Sequence, residues 1–173
     1  MRCVDPPDPR SAEGGVLLDP SQSEFWVGVC VASVCGAVIG VERQLRGKPA
    51  GIRTSMLICL GTMVFVRLGS LVAGASGDST RVLGQIVTGV GFIGAGVMLA
   101  REGLVRGVTS AAVIWTLAAI GALVGFGRYG AALVLAVLVL AVLSGVQALE
   151  RVVGRLRRGD YAKESENGGP DEG

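Results

Sequence analysis

The sequence predicts an all-α integral membrane protein, a bundle of five transmembrane helices with its N-terminus outside and its C-terminus in the cytoplasm. Three observations carry this reading. Half of the 173 residues are hydrophobic and 17% are charged, against about a quarter charged in a soluble domain. The charges gather near the two ends and between long apolar runs. Those runs hold 17 to 21 residues each, enough at about 1.5 Å per residue to cross a hydrocarbon core of about 30 Å. Backbone polar groups in lipid must be satisfied within their own segment, and barrel-type alternation is absent, so the runs read as helices despite their valines.

Taken in order, residues 1–24 carry Pro6, Pro7, Pro9 and Pro20 among acids and glycines, without the apolar core of a signal peptide. They are expected to form a disordered extracytoplasmic leader. The spans are expected at Phe25–Val41, Thr54–Gly74, Val82–Ala100, Val108–Phe126 and Ala131–Leu149, within a transmembrane domain covering 25–149. The connection Gly127-Arg128-Tyr129-Gly130 is so short that the last two spans should form a tight hairpin. Residues 150–173 form a tail, basic and then acidic, predicted to be disordered in the cytoplasm, its basic half resting on anionic lipid headgroups. With the leader outside, the inner segments hold eleven Lys and Arg residues and the outer ones four, which sets the orientation.

The composition excludes several chemistries. The chain has no His, so the commonest general base and the commonest transition-metal ligand are missing. Cys3, Cys30, Cys35 and Cys59 show no metal-ligand spacing, and three of them lie in apolar runs. A net charge of +2 without a basic, aromatic-interleaved patch argues against nucleic acid. Gly89-x-Gly91-Phe92-x-Gly94 matches the dinucleotide fingerprint but sits inside an apolar span with no acid about 20 residues on. Gly47-Lys48 is followed by Pro49 and is no phosphate loop. The expectation is a protein that is not an enzyme, with no cofactor and no metal site.

What remains is polar residues at helix ends and glycines within helices. Gly36-x-x-x-Gly40, Gly91-x-x-x-Ala95 and Gly121-x-x-x-Gly125 clear faces for close approach of the first, third and fourth helices, and Gly89, Phe92, Gly94 and Gly96 are expected to share in the packing of the third. Glu42 lies at a helix end among Arg43, Arg46 and Arg53, so it is expected to be paired, either clamping the first helix to the second through Arg53 or forming a functional site. Thr54 is placed to cap the second helix. Arg67 is about 20 Å along its helix from the inner end and is expected to snorkel outward. Gln85 is expected to make an interhelical hydrogen bond.

Four ordered stretches resemble the successive motifs of the MgtC/SapB family of bacterial inner-membrane proteins. They are Gly40-Val41-Glu42-Arg43; Lys48-Pro49-Ala50-Gly51-Ile52-Arg53-Thr54; the run from Gln85 to Gly96; and Gly107-Val108-Thr109-Ser110-Ala111-Ala112 with Trp115. The resemblance implies a multi-pass plasma-membrane protein that supports growth under magnesium limitation and, in pathogens, survival in host cells. It further implies a regulator of another inner-membrane complex, the F-type ATP synthase being the partner proposed for some members, and it leaves homo-oligomerisation open. Glu42, Arg43, Pro49, Gly51, Arg53, Thr54, Gln85, Thr109 and Trp115 are the motif residues that the resemblance carries over. A small magnesium or other cation transporter is the alternative. Ser55 stands where the family has His, and Val108 and Ser110 replace Leu and Thr. The chain is expected to lack the soluble C-terminal domain of some members.

Overall fold

The computed structural model describes residues 19–73, 79–101 and 104–145. Five helices follow one another: α1 Ser23–Leu45, α2 Ile52–Ala73, α3 Ser79–Val97, α4 Val108–Gly125 and α5 Tyr129–Gly145, with a two-stranded hairpin of β1 Leu99–Arg101 and β2 Leu104–Arg106 between α3 and α4. Ser23–Leu45, Ile52–Val72 and Val108–Gly125 are long and apolar enough to cross a membrane, while Arg81–Val97 and Tyr129–Gly145 are shorter apolar helices. The chain divides into two compact units, Met1–Val137 and Leu138–Gly173, and the sites described below lie in the first. The expected leader up to residue 18 and the tail beyond residue 145 lie outside the described residues.

Most element boundaries shift by a few residues from the expected ones, and three of the departures have a visible cause or consequence. The leader is ordered from Asp19 onward: the Asp19 carboxylate accepts the Ser21 N–H at 2.9 Å, and the Trp26 indole donates to the Pro20 carbonyl at 2.9 Å. The exposed Asp19 carboxyl is held below its ordinary pKa by that Ser21 hydrogen bond. The first helix runs on past Val41 to Leu45. The third stops at Val97 instead of Ala100, because Met98 N–H turns back to the Ala95 carbonyl at 3.0 Å and the next residues pair as a hairpin, Leu99 with Arg106 and Arg101 with Leu104. The antiparallel ladder gives the backbone groups beyond Val97 the partners that a longer helix would have supplied.

Glycine ends both α1 and α4 in the same way. Gly47 (φ +61°) and Gly127 (φ +70°) take the left-handed conformation. Lys48 N–H then reaches the Arg43 carbonyl at 3.0 Å and Gly47 N–H that of Gln44 at 3.0 Å. At the other turn Arg128 N–H reaches Leu123 at 2.8 Å and Gly127 N–H reaches Val124 at 3.0 Å. This is the Schellman pattern, which satisfies last-turn carbonyls and reverses the chain quickly. It explains why Pro49 can follow so soon, and why three residues suffice between α4 and α5.

The packing core is α2, flanked by α1 and α4. Small residues at spacing four, Gly28, Ala32, Gly36 and Gly40, form the buried stripe of α1 together with Cys35, Ile39 and Arg43. A Cβ at Gly40 would lie 2.5 Å from Ile52 Cα, and one at Gly36 would lie 2.8 Å from Met56 Cα. On α4 a Cβ at Gly121 would lie 2.5 Å from the Cys59 carbonyl oxygen, and one at Gly125 2.7 Å from Val66 Cβ. The two helices therefore approach α2 at backbone distance, burying Cys59, Met63, Val66, Ile114, Leu117 and Val124.

The third helix behaves otherwise. Its Val90 packs with Ile114 and Ala118 of α4, and a Cβ at Gly94 would lie 3.5 Å from the Ala111 carbonyl oxygen. Gly84, Gly89, Gly91 and Gly96 have no described atom within 4 Å of a built Cβ. Thr88 and Ala95 are exposed, and Phe92 is 85% exposed. The close helix approach expected at Gly89, Gly91, Phe92, Ala95 and Gly96 is not made to another described helix: built Cβ atoms at the three glycines meet no described atom within 4 Å, and Phe92 and Ala95 are exposed. By helical spacing, Val82, Ile86, Val90 and Ile93 take the side toward the other helices, and Gly84, Thr88, Gly91 and Ala95 are left on the opposite side.

Candidate functional site

Two features lie at or near the end of the bundle where α1 finishes: a charged cluster and a groove. The cluster follows from the phase of α1. Arg43 continues the stripe of Gly36, Ile39 and Gly40, so its side chain points inward and is 1% exposed. Its Nη2 donates to the hydroxyl of Ser110 in the first turn of α4, and its Nε has no hydrogen-bond partner among the described residues. The motif of α1 is thereby tied to the Thr109-Ser110 motif, with Ser110 buried and Thr109 exposed.

Glu42 is one residue off that stripe. Its side chain is 10% exposed, and its Oε1 lies 2.8 Å from Arg46 Nε one turn later. That pair is close without being aligned as a hydrogen bond, and neither carboxylate oxygen accepts a hydrogen bond from a described residue. An i,i+4 Glu–Arg pair in this order is the favourable one on a helix. Arg53 is exposed on the first turn of α2. The expected Glu42–Arg53 clamp is replaced by two other devices, the glycine contact of α1 with α2 and the Arg43–Ser110 link to α4.

The start of α2 also departs from expectation. Thr54 is exposed and caps nothing, because the helix begins two residues earlier, at Ile52. Gln44 of α1 supplies the cap, its Oε1 accepting the Ile52 N–H at 3.4 Å. A side chain at Gly51 would press on that amide at 3.1 Å. Ser55, which occupies the family's His position, is fully buried and donates to the Ala50 carbonyl at 3.3 Å.

A groove of about 720 Å³ runs between α2 and α3. Thr54, Ile58, Gly61, Thr62 and Phe65 form one wall, and Gln85, Ile86, Gly89, Val90 and Ile93 form the other. Gln85 is exposed here and makes no interhelical hydrogen bond to a described residue, contrary to expectation. Trp115, half-exposed, lines a second cleft of about 390 Å³ between α3 and α4.

Arg67 is corrected as well. It does not snorkel: it is 1% exposed, Nη2 donates to the Tyr129 hydroxyl at 3.1 Å, and its guanidinium fills the place that a Cβ at Gly28 would need. Sequence reasoning missed Gly28, Tyr129, Ser110 and Gln44 as partners. The four-residue spacing Gly28, Ala32, Gly36, Gly40 was a usable signal for the first, whereas the other three depend on which helices meet.

Chemically, the cluster sets one nearly buried carboxylate among guanidinium groups. Among the described residues no three His, Cys, Asp or Glu side chains come together as metal ligands, and a hard divalent cation takes about six oxygens. Cys35 and Cys59 are buried free thiols and Cys30 is exposed, while Cys3 lies outside the described residues.

Comparison with known proteins agrees with the motifs. The MgtC family profile matches residues 29–152. The chain is 42% identical over 132 residues to "Protein MgtC" of Brucella abortus, a match covering 75% of this chain and 55% of that protein. It is 43% identical over 118 residues to "Protein MgtC" of Salmonella typhimurium, covering 67% and 49%. It is 37% identical over 146 residues to "Putative magnesium transporter YhiD" of Escherichia coli, covering 80% and 66%. The chain thus spans about half the length of the MgtC proteins it matches. No solved structure matches. With three helices long and apolar enough to cross a bilayer and four ordered motifs inside the residues that the profile matches, the chain is a membrane protein that belongs to the MgtC family.

Proposed function

We propose that this protein is a non-enzymatic, multi-pass protein of the bacterial plasma membrane that supports adaptation to low magnesium by regulating another membrane complex, such as the F-type ATP synthase, or by affecting ion balance. In this reading all five helices span, with the N-terminus outside, the C-terminus and the Glu42–Arg43 cluster at the cytoplasmic side, and the Lys and Arg count as support. At 17 residues, Arg81–Val97 and Tyr129–Gly145 sit at the lower bound of about 17–25 for a span.

The observation that carries the regulatory reading is the uncovered side of α3. Gly84, Thr88, Gly91 and Ala95 follow one another at spacings of four, three and four, which brings them onto one helical seam. Small residues let backbones approach in lipid, and the Thr88 hydroxyl, which donates to the Gly84 carbonyl of its own helix at 2.9 Å, leaves the seam without an unpaired donor. Such a seam suits a partner's helix better than it suits lipid. The test is Gly91→Ile in the full chain. It should reach the membrane in normal amount, since nothing described touches that position, yet fail to support growth at low magnesium and fail to co-purify with the partner complex. Normal growth would refute the reading.

A transporter reading is favoured by the name of the Escherichia coli relative and by Thr54, Thr62 and Gln85 in the α2–α3 groove. Magnesium flux into proteoliposomes holding only the purified chain, lost in Glu42→Gln, would establish it in place of the regulator.

A further inference from the structure

The α2–α3 groove is apolar in its middle, open along its length and walled by two glycines that face it, Gly61 and Gly89, neither of which has a described atom within 4 Å of a built Cβ. From Thr54 to Phe65 it follows eleven residues of α2, about 16 Å by the helical rise and so about half the thickness of a hydrocarbon core. That is the depth of one leaflet, and the two glycines leave the walls open to an unbranched chain lying along them. The Thr54 end is also the charged end. Arg53 is exposed there, four residues before the groove residue Leu57 and hence on the same side of α2. The one acid described at this end, Glu42, is nearly buried beside Arg46. The mouth of the groove is therefore positive, and a basic mouth between membrane helices is complementary to a lipid phosphate.

We propose that the α2–α3 groove is a site for an anionic phospholipid, one acyl chain lying along Gly61 and Gly89 with the phosphate held against Arg53. The site is independent of the regulatory reading, since it uses the opposite flank of α3 from the Gly91 seam.

Native mass spectrometry of the purified full chain, titrated with phosphatidylglycerol or with phosphatidylcholine, tests this. The unaltered protein should retain one phosphatidylglycerol with about fivefold preference over phosphatidylcholine, the factor that one charge near a membrane surface supplies. Arg53→Gln changes only an exposed side chain and should abolish the preference while leaving a chain in the groove. Gly61→Leu fills the groove from one wall and Gly89→Leu from the other, and each should lose binding of both lipids. If one of the two fails to fold, the other and Arg53→Gln still decide. Equal binding of the two lipids by the unaltered protein would overturn the proposal. So would a preference that survives Arg53→Gln, lipid counts unchanged in the filled variants, or a dimer lost on filling while bound lipid stays constant.

Discussion

Gly121 and Gly91 look alike in sequence, each in a small-x-x-x-small pair within an apolar helix, yet replacing them by alanine should move stability in opposite directions. At Gly121 the new methyl would lie 2.5 Å from the Cys59 carbonyl oxygen, 2.9 Å from Thr62 Cβ and 3.1 Å from Cys59 Cα. Non-bonded carbons settle at about 3.5–4.0 Å, so α2 and α4 must part by about 1 Å, and a gap of that size forfeits a quarter to a half of each contact's dispersion energy. Overpacking of this kind costs about 1–3 kcal/mol. Against it stands the helix preference of alanine over glycine, up to about 1 kcal/mol, leaving a net loss of about 1–2 kcal/mol. At Gly91 a built Cβ meets no described atom of another element within 4 Å, so only the helix preference remains, a gain of about 0.5–1 kcal/mol. Reversible unfolding of the purified chain in mixed micelles of dodecyl maltoside and sodium dodecyl sulfate, followed by far-ultraviolet circular dichroism, should separate the variants by about 2 kcal/mol. Equal destabilisation by both, or no loss in Gly121→Ala, would refute the reasoning.

Three further outcomes follow from the same contacts. Tyr129→Phe removes the hydroxyl that accepts from buried Arg67, and should cost about 1.5–3 kcal/mol, the range for a hydrogen bond to a charged group; the same unfolding assay reads it. Gly47→Ala places a side chain in the left-handed turn that ends α1 and should cost about 1–2 kcal/mol. Gly130→Ala, a helical position with open space around it, should lose nothing and gain up to about 1 kcal/mol of helix preference, as at Gly91.

The helices were legible in the sequence because hydropathy and length are local properties. Three of the five meet the length and apolarity of a membrane span outright, and the ends marked by Gly47 and Gly127 lie where the left-handed residue that closes a helix is cheapest. The end of α3 was not legible, since Met98-Leu99-Ala100 continues the apolar run beyond Val97 and only the pairing of Leu99 with Arg106 turns it into a hairpin. Hydropathy carries no information about which backbone partner a segment will find.

The candidate site divides along the same line. Family membership was readable from four motifs in order, because a motif is a string. Where each motif residue points was not. Glu42 and Arg43 are neighbours in sequence, yet 100° of helix rotation sends one to Arg46 on its own helix and the other across the bundle to Ser110. Arg67 stands within snorkelling reach of one end by distance alone, but the gap at Gly28 and the hydroxyl of Tyr129 give its guanidinium a partner inside the protein. The glycines are the clearest case. By itself the sequence determined that this is a membrane protein of five apolar helices rich in small residues. Only the tertiary structure decided that Gly36, Gly40, Gly121 and Gly125 face backbone while Gly89, Gly91 and Gly96 face open space. A glycine has no side chain to declare its side, so its meaning is set wholly by what the rest of the fold brings against it.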